Sequence, residues 1–288
     1  MMTTPKEILR KHGIRPRRRL GQSFLQDLNI INKIIACAHI RPEETVVEIG
    51  AGLGIMTGLM ATKARRVIAL EVDPSMIEIL RGRLHCFDNV DVVEADVLQF
   101  NFFSACPPDP SEKIKIVGNI PYHISSPILF HLLDFRKRIS SMVLMLQKEV
   151  ADRIRALPGG KDYGIPSVIT AMFYRTQRLM DVPASCFYPE PKVVSSVLKM
   201  RVRETPLIDL RNEALFFKIV RLSFAKRRKT LLNNLRHAHL PGYSTEWMLS
   251  ALQRSGIDGM RRAETLSAGE FGLLSDFMIP KEKTVKSK

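Results

Sequence analysis

The chain has 288 residues, of which 45% are hydrophobic and 25% charged, so it can build a large core and is not globally disordered. No apolar run approaches the roughly 20 residues that a membrane-spanning helix needs, and the N-terminus lacks the apolar segment of a secretory signal. The formal charge of +15 predicts a polyanionic partner, and nucleic acid is the commonest soluble one.

Short β-rich runs alternate with helical patterns from Glu43 to about Met200, which predicts a parallel, doubly wound α/β sheet. Two late strands have no helix between them, so we expect them to form an antiparallel addition at one edge of the sheet. The predicted strands are Thr45–Ile49, Arg66–Glu71, Val90–Glu94, Ile114–Val117, Ser141–Leu146, Arg178–Pro183 and Val193–Val202.

The β signals stop near Pro206, and the remaining chain has helical patterns over 212–225, 229–238, 245–255 and 268–278. We therefore predict four segments. These are a flexible basic arm at 1–20, an α/β domain at 21–204, a helical domain at 205–279 and a disordered basic tail at 280–288.

Basic residues cluster in the arm and in the helical domain. The run from Lys226 to Lys229 is predicted to begin a helix, so at least two of its cations must face away from any one partner. A solvated basic surface is the alternative to phosphate binding. We expect RNA phosphates to be contacted by cations from the set Arg17, Arg18, Lys226, Arg227, Arg228 and Lys229.

A glycine-rich turn follows the first predicted strand of the α/β domain, at Gly50-Ala51-Gly52-Leu53-Gly54. Its G-x-G-x-G spacing differs from the G-x-G-x-x-G of a dinucleotide site. Glu71 ends the next strand and can accept hydrogen bonds from both hydroxyls of a ribose. Asp96 follows the third strand, where it can accept from an adenine amino group. Structural turns and surface acids are the alternatives for each feature alone. Together they predict an adenosine pocket without a phosphate clamp, which suits S-adenosylmethionine.

The fourth strand runs into Asn119-Ile120-Pro121-Tyr122. The side-chain oxygen of Asn119, with the backbone oxygen of Ile120 or Pro121, could accept both protons of an adenine N6 amine and direct its lone pair. Proline holds the loop rigid, and Tyr122 offers a face on which an extruded base can stack. No general base is needed, because the methyl donor is a sulfonium cation. An ordinary Asn-Pro turn is the alternative.

The chain resembles the small-subunit (16S) ribosomal RNA adenine N6,N6-dimethyltransferase family, whose bacterial member is known through kasugamycin resistance. The segments that carry the resemblance span almost the whole chain, in the family order. They are 20–25 (LGQSFL), 48–54, 71–73, 95–96, 119–122, 182–183, 187–195 (FYPEPKVVS) and 224–231 (FAKRRKTL).

The resemblance implies a Rossmann-like class I S-adenosylmethionine-dependent methyltransferase. Its mostly parallel sheet would have seven strands with an antiparallel edge strand, followed by a small all-helical domain. It also implies that Asn119, Pro121 and Tyr122 act on the target adenine and that Phe187 is a second, exposed stacking ring. The cofactor would be lined by Ser23, Leu25, Gly50, Glu71, Asp96 and Asn119.

The implied reaction is dimethylation of N6 of two adjacent adenosines in the hairpin loop near the 3′ end of 16S rRNA. We expect the substrate to be an immature small subunit, and the enzyme to be a cytoplasmic monomer without a metal. The four cysteines have no metal-ligand spacing and suit reduced thiols.

Three alternative functions remain. They are a large-subunit dimethylase of the macrolide-resistance type, a non-catalytic RNA-binding assembly factor, and a DNA adenine methyltransferase. The DNA enzymes usually have a second proline where this chain has Ile120, which makes that function the least favoured.

The chain departs from the family pattern at two positions. Ser23 stands where asparagine is usual, so we expect a shorter or water-mediated cofactor contact. His123 stands where asparagine is common, and we expect it to lie outside the chemistry, because sulfonium transfer needs no base.

Overall fold

A computed structural model of the chain describes residues 4–238 and 243–280. Its backbone contacts divide the chain into two compact units, Met1–Ala151 with Thr176–Val202 and Asp152–Arg175 with Arg203–Lys288. The predicted boundary at 204/205 lies close to the observed one at 202/203. The observed units differ from the predicted domains in two respects: 152–175 groups with the helical unit, and the predicted arm groups with the α/β unit. Most of the predicted tail, 281–288, lies outside the described residues.

The strands follow one another as β1 (Phe24–Leu25), β2 (Thr45–Ile49), β3 (Arg66–Glu71), β4 (Val90–Glu94), β5 (Ile114–Asn119), β6 (Ile139–Gln147), β7 (Tyr174–Val182), β8 (Phe187–Tyr188) and β9 (Ser195–Val202). The helices are α1 (Pro5–Lys11), α2 (Leu28–Ala38), α3 (Ile55–Ala61), α4 (Pro74–Leu84), α5 (Ser125–Asp134), α6 (Lys148–Arg155), α7 (Ile165–Phe173), α8 (Glu213–Ser223), α9 (Leu231–His237), α10 (Thr245–Arg254) and α11 (Ala268–Met278). Within the described ranges, no helix combines the length and the hydropathy needed to cross a membrane.

Seven strands form one sheet in the order β4-β3-β2-β5-β6-β9-β7. The strands from β4 to β6 pair in parallel, whereas β9 runs antiparallel to β6 and lies between β6 and the edge strand β7. The predicted mostly parallel, seven-stranded α/β architecture is confirmed, except that the antiparallel strand β9 lies one strand inside the edge where it was expected. The strand order reverses between β2 and β5, and such a switch point is where open α/β sheets bind ligands.

The central strands are buried on both faces, as expected of parallel strands covered by helices. Every residue of β2 is buried. Gly118 in β5 allows this strand to lie close to β2, because a Cβ atom at Gly118 would stand only 2.8 Å from the carbonyl oxygen of Ile49. The close approach brings the carboxyl ends of β2 and β5 side by side.

The first helix is part of the α/β unit. The Thr4 hydroxyl accepts the backbone N–H of Glu7, and the Glu7 carboxylate accepts the Thr4 N–H, which together cap α1. Ile8 and Leu9 are buried in an apolar cluster that includes Leu53 of the glycine turn. The flexible arm predicted for 1–20 is therefore corrected for 5–14, because its apolar face packs against the unit.

The basic run from Lys226 to Lys229 lies in a turn between α8 and α9, which corrects the prediction that it begins a helix. Buried Asn234 holds this turn: its Nδ2 donates to the carbonyls of Ser223 and Lys226, and its Oδ1 accepts the Lys226 N–H. The helix begins only at Leu231, because Thr230 is its N-cap. The four basic side chains therefore project from a fixed turn.

Candidate active site

A cleft opens in the α/β unit at the carboxyl ends of its parallel strands and holds about 1060 Å³ of empty volume, part of it open to solvent. This is the size range of small-molecule sites. The structure brings together in this cleft all six residues expected to line the cofactor and three of the four expected to act on adenine, with Asn119 in both sets. They are Ser23, Leu25, Gly50, Glu71, Asp96, Asn119, Pro121 and Tyr122.

The glycine turn after β2 requires residues without side chains. Gly50 and Gly52 have φ values of 72° and 54°, in the left-handed region that favours glycine. A Cβ atom at Gly52 would lie 3.0 Å from the ring of Phe24, and one at Gly50 would lie 3.4 Å from the carbonyl oxygen of Asn119. The turn therefore lies close to both β1 and the end of β5.

Glu71 ends β3 and lines the cleft. Its Oε1 accepts the N–H groups of Val72 at 2.9 Å and Asp73 at 3.0 Å, and its Oε2 accepts the N–H of Gly52 at 2.9 Å. Burial raises the pKa of Glu71, and these three donors oppose that rise. Because a carboxylate has about four acceptor positions, one remains on Oε2 for a ligand hydroxyl, where both ribose hydroxyls were expected to bind.

A second acid, Glu48, lies fully buried beneath the glycine turn and also lines the cleft. Burial raises the pKa of Glu48 to about 8, against a hydrogen bond with the Thr57 hydroxyl at 2.5 Å and with a further rise from the nearby Glu71. Glu48 is therefore mostly protonated at neutral pH. Its proton lowers the repulsion that two carboxylates would otherwise have in this cleft.

Arg17 contributes to the loop after β3. Its guanidinium lies 2.9 Å from Oδ1 of buried Asp73 and donates to the Ser75 hydroxyl at 3.1 Å. Gln22 donates to the other Asp73 oxygen at 2.7 Å. Asp73 itself is the N-cap of α4. Arg17, expected to contact RNA, is thus engaged within the unit, and the side chain of Arg18 lies outside the described residues.

Asp96 stands exposed after β4. Its Oδ1 accepts the N–H of Leu98 at 2.9 Å, which fixes the carboxylate in a local turn. Its other oxygen has no hydrogen-bond partner among the described residues and can accept from a ligand amino group. This geometry suits the adenine contact expected of Asp96.

The amide of Asn119 is oriented by Ser23. Its Nδ2 donates to the backbone oxygen of Ser23 at 2.9 Å. A carbonyl oxygen only accepts, so the amide nitrogen must face Ser23, and Oδ1 is left available as an acceptor. The Ser23 hydroxyl donates to the carbonyl of Pro189 at 2.6 Å. This bond ties the residue before β1 to the segment after β8, and it leaves the Ser23 hydroxyl able to accept a hydrogen bond but not to donate another.

The structure distinguishes the two backbone carbonyls that sequence reasoning left open. The Pro121 oxygen already accepts the N–H of Ile124 at 3.2 Å and the hydroxyl of Ser125 at 3.3 Å. The Ile120 oxygen accepts no hydrogen bond from any described residue. The acceptor available beside Asn119 Oδ1 is therefore the Ile120 carbonyl.

Tyr122 follows on a short turn of 3₁₀-helix, Tyr122–Ile124, and its half-buried ring lines the cleft. Its hydroxyl shares a 2.8 Å hydrogen bond with the fully buried Ser195 hydroxyl. Burial raises the pKa of Tyr122, so the phenol stays neutral at physiological pH. The side chain of His123 lies outside the described residues.

The prediction that the ring of Phe187 is exposed is wrong. Phe187 is 2% exposed, packs in the apolar core with residues such as Val182 and Val197, and does not line the cleft. The reason is its strand: β8 pairs antiparallel with β1, which sets Phe187 opposite buried Leu25. A stacking role for Phe187 has no support from this arrangement.

Sequence reasoning did not single out two polar residues that hold this site in place, Gln22 and Ser195. Gln22 joins the arm to Asp73, and Ser195 fixes the hydroxyl of Tyr122. A signal for Ser195 was present, because Ser195-Ser196 opens a strand that is otherwise apolar at most of its buried positions. Buried hydroxyls need partners, but the sequence does not indicate which ones.

In the helical unit, the four cations of the basic turn 226–229 differ in whether they are paired with other residues. Arg227 is 2.8 Å from Glu264 and also donates to the carbonyl of Lys161. Lys226, Arg228 and Lys229 are exposed, and no acidic side chain in the described part of the chain pairs with them. Three of the four cations are therefore free to neutralise phosphates.

The strand order, the glycine turn after β2 and the acids after β3 and β4 define a class I S-adenosylmethionine-dependent methyltransferase. Two solved structures share this fold over most of their length. The dimethyladenosine transferase from Plasmodium falciparum has a TM-score of 0.74 and 28% identity, with 87% of this chain and 95% of that one covered. The 23S rRNA methyltransferase ErmE has a TM-score of 0.66 and 28% identity, covering 88% and 99%.

The model of the family "Ribosomal RNA adenine dimethylase" matches residues 13–279. A relative called "Ribosomal RNA small subunit methyltransferase A" from Syntrophus aciditrophicus is 49% identical over 273 residues, 95% of this chain and 98% of its own. One with the same name from Enterococcus faecalis is 42% identical over 283 residues, 97% and 96%. The chain belongs to the ribosomal RNA adenine dimethylase family, and it is an S-adenosylmethionine-dependent rRNA adenine dimethyltransferase.

Proposed function

We propose that this enzyme dimethylates N6 of two adjacent adenosines in the hairpin loop near the 3′ end of 16S rRNA. The observation that carries the proposal is the 49% identity, over 95% of this chain, to a relative named as a small-subunit methyltransferase. The similarity to ErmE, at 28% identity, is lower. This difference favours the small-subunit target over the large-subunit one.

The cofactor residues fit S-adenosylmethionine. Glu71 accepts from a ribose hydroxyl, and the free oxygen of Asp96 accepts from the adenine amino group. Gly50 and Gly52 leave the backbone open to close approach. Ser23 and Leu25 also line the cleft. When bound, the cofactor supplies an electrophilic methyl group on a sulfonium sulfur.

The residues after β5 hold the target amine. Asn119 Oδ1 and the Ile120 carbonyl accept its two protons, which localises the nitrogen lone pair. Pro121 keeps the loop rigid, and the Tyr122 ring stacks on the extruded base. Rate enhancement comes from positioning and from these fixed dipoles. The presence of every one of these groups argues against a non-catalytic assembly factor.

We propose an immature small ribosomal subunit as the substrate and a cytoplasmic monomer as the enzyme. Binding to a subunit suits the overall charge of +15 and the free cations of the basic turn. All four cysteines are free thiols, which suits the reducing cytoplasm where subunits assemble.

The test is methylation of purified small and large subunits that lack dimethyladenosine, with isotopically labelled S-adenosylmethionine and mapping by mass spectrometry. We expect two adjacent N6,N6-dimethyladenosines near the 3′ end of the small-subunit RNA. An Asn119→Ala enzyme serves as the control for contaminating activity. Label found only in large-subunit RNA would overturn the proposal.

The basic turn gives a separate prediction about binding. Changing Lys226, Arg228 and Lys229 together to glutamine should weaken binding to small subunits. It should also flatten the dependence of log Kd on log salt by about one unit for each phosphate that the turn no longer neutralises. The measurement is filter binding between about 50 and 200 mM salt, the range over which phosphate contacts change affinity most visibly.

The matched control for this prediction is Lys63→Gln. Lys63 is exposed just after α3, at the end of the α/β unit away from the cleft. This variant should keep both the affinity and the salt dependence of the unchanged enzyme. An unaltered salt slope in the triple variant would contradict a phosphate-binding role for the turn.

A further inference from the structure

The ring of Tyr122 is the stacking face of the proposed reaction, and its orientation depends on where its hydroxyl is held. Tyr122 follows Pro121 on a single 3₁₀ turn, so backbone bonds restrain it less than they restrain Asn119 at the end of β5. The hydrogen bond to Ser195 is the one side-chain bond described for its hydroxyl. Rotation about χ1, which moves the hydroxyl away from this position, would break that bond.

Ser195 is a rigid anchor. It is 0% exposed and begins β9, where it lies opposite Gln147 of β6. β6 in turn pairs with β5, in which Asn119 is opposite Met145. The sheet therefore fixes the Ser195 hydroxyl relative to the amide that holds the amine, and the 2.8 Å bond extends this fixed geometry to Tyr122.

We propose that Ser195 is a positioning residue for methyl transfer, which holds the Tyr122 ring in place and thereby the position of the extruded adenine. This inference rests on the proposed function, because it needs an adenine stacked on Tyr122. Ser195 does not line the cleft, so it acts through Tyr122 and does not touch the substrate.

Dimethylation makes this positioning measurable. After the first transfer, the nitrogen carries a methyl group and must be presented again before the RNA is released. A ring free to shift broadens the positions of the base and slows each transfer, because small misplacements of reacting atoms are costly. Release of the RNA is not slowed. More RNA therefore leaves with a single methyl group.

The experiment measures N6-monomethyladenosine against N6,N6-dimethyladenosine by mass spectrometry, early in reactions with small subunits in excess. Ser195→Ala and Tyr122→Phe should each raise this ratio about three- to tenfold, the effect expected from one neutral hydrogen bond. The double variant should be no worse than either single one, because both changes remove the same bond. Cofactor affinity by calorimetry should be unchanged.

Ser196→Ala is the matched control. Ser196 is also 0% exposed and adjacent in β9, but its hydroxyl donates to Asp181 at 2.6 Å. This variant should keep the ratio of the unchanged enzyme. Because a ratio of products is independent of the fraction of folded enzyme, a purely structural role for Ser195 would leave it constant.

An unchanged ratio in Ser195→Ala would overturn the positioning role, as would effects of Ser195→Ala and Tyr122→Phe that multiply in the double variant. Failure of the proposed function looks different, because the unchanged enzyme itself would then form no dimethyladenosine in small-subunit RNA.

Discussion

Replacing Asn119 with alanine is expected to lower kcat for adenine methylation by roughly 10²- to 10³-fold, the usual effect of removing one preorganised polar group from a reacting centre. Binding of S-adenosylmethionine should change only a few-fold, because Glu71, Asp96 and the glycine turn remain. The measurements are single-turnover methylation of small subunits and calorimetry with the cofactor.

The expected loss follows from the orientation of the Asn119 amide. Its Nδ2 is committed to the Ser23 carbonyl, so its Oδ1 is the acceptor offered to the amine. Alanine leaves only the Ile120 carbonyl to accept a proton, and the lone pair of the amine stays delocalised in the ring. Asn119→Asp should also be strongly impaired, because a carboxylate oxygen would face the Ser23 carbonyl oxygen without a proton between them.

Asn101→Ala is the control for this comparison. Asn101 belongs to the same unit and its Oδ1 accepts the Phe103 N–H at 3.0 Å, but it does not line the cleft. It should lose some stability, as capping residues do, and keep its kcat. Near-normal turnover by Asn119→Ala would refute the amine-holding role.

The α/β sheet could be predicted from the sequence because strand and helix patterns alternate along the chain. The predicted strands 45–49, 66–71 and 90–94 match β2, β3 and β4 residue for residue. The helix α1 was missed, because a seven-residue helix rich in basic residues gives little periodicity. Its stability comes from Ile8 and Leu9, whose partner Leu53 is distant in sequence.

The residues that line the cleft could be predicted where they lie at the ends of consecutive parallel strands. Carboxyl ends of such strands share one edge of the sheet, so Gly50, Glu71 and Asn119 had to meet. The burial of Phe187 was not predictable in the same way, because it depends on the pairing of two-residue strands β1 and β8, which are too short to have a pattern. The bonds of Ser23 and Ser195 depend on side-chain directions that no local signal encodes.

Replacing Glu71 with alanine should reduce the affinity for S-adenosylmethionine by about ten- to a hundredfold, the range for losing a hydrogen bond to a charged group. Two effects contribute. A ribose hydroxyl loses its acceptor, and the N–H groups of Gly52, Val72 and Asp73 lose the carboxylate that fixes the glycine turn. Calorimetry measures the sum of the two.

The two contributions can be separated with ligands that lack one hydroxyl. Because three of about four acceptor positions on Glu71 are occupied by backbone N–H groups, the carboxylate can receive one ribose hydroxyl without rearranging the turn. The comparison uses S-adenosylhomocysteine with its 2′-deoxy and 3′-deoxy forms, on the unchanged enzyme and on Glu71→Ala.

One of the two deoxy ligands should bind the unchanged enzyme more weakly, and Glu71→Ala should no longer distinguish that ligand from the parent. The other hydroxyl should show little coupling to Glu71. Glu94→Ala is the control, since Glu94 lies opposite Glu71 in β4 but is exposed and does not line the cleft. If both enzymes distinguished the deoxy ligands from the parent equally well, ribose recognition by Glu71 would be contradicted. If Glu71→Ala abolished the effect of removing either hydroxyl, the glycine turn would have to lose a backbone hydrogen bond to Glu71 when the cofactor binds.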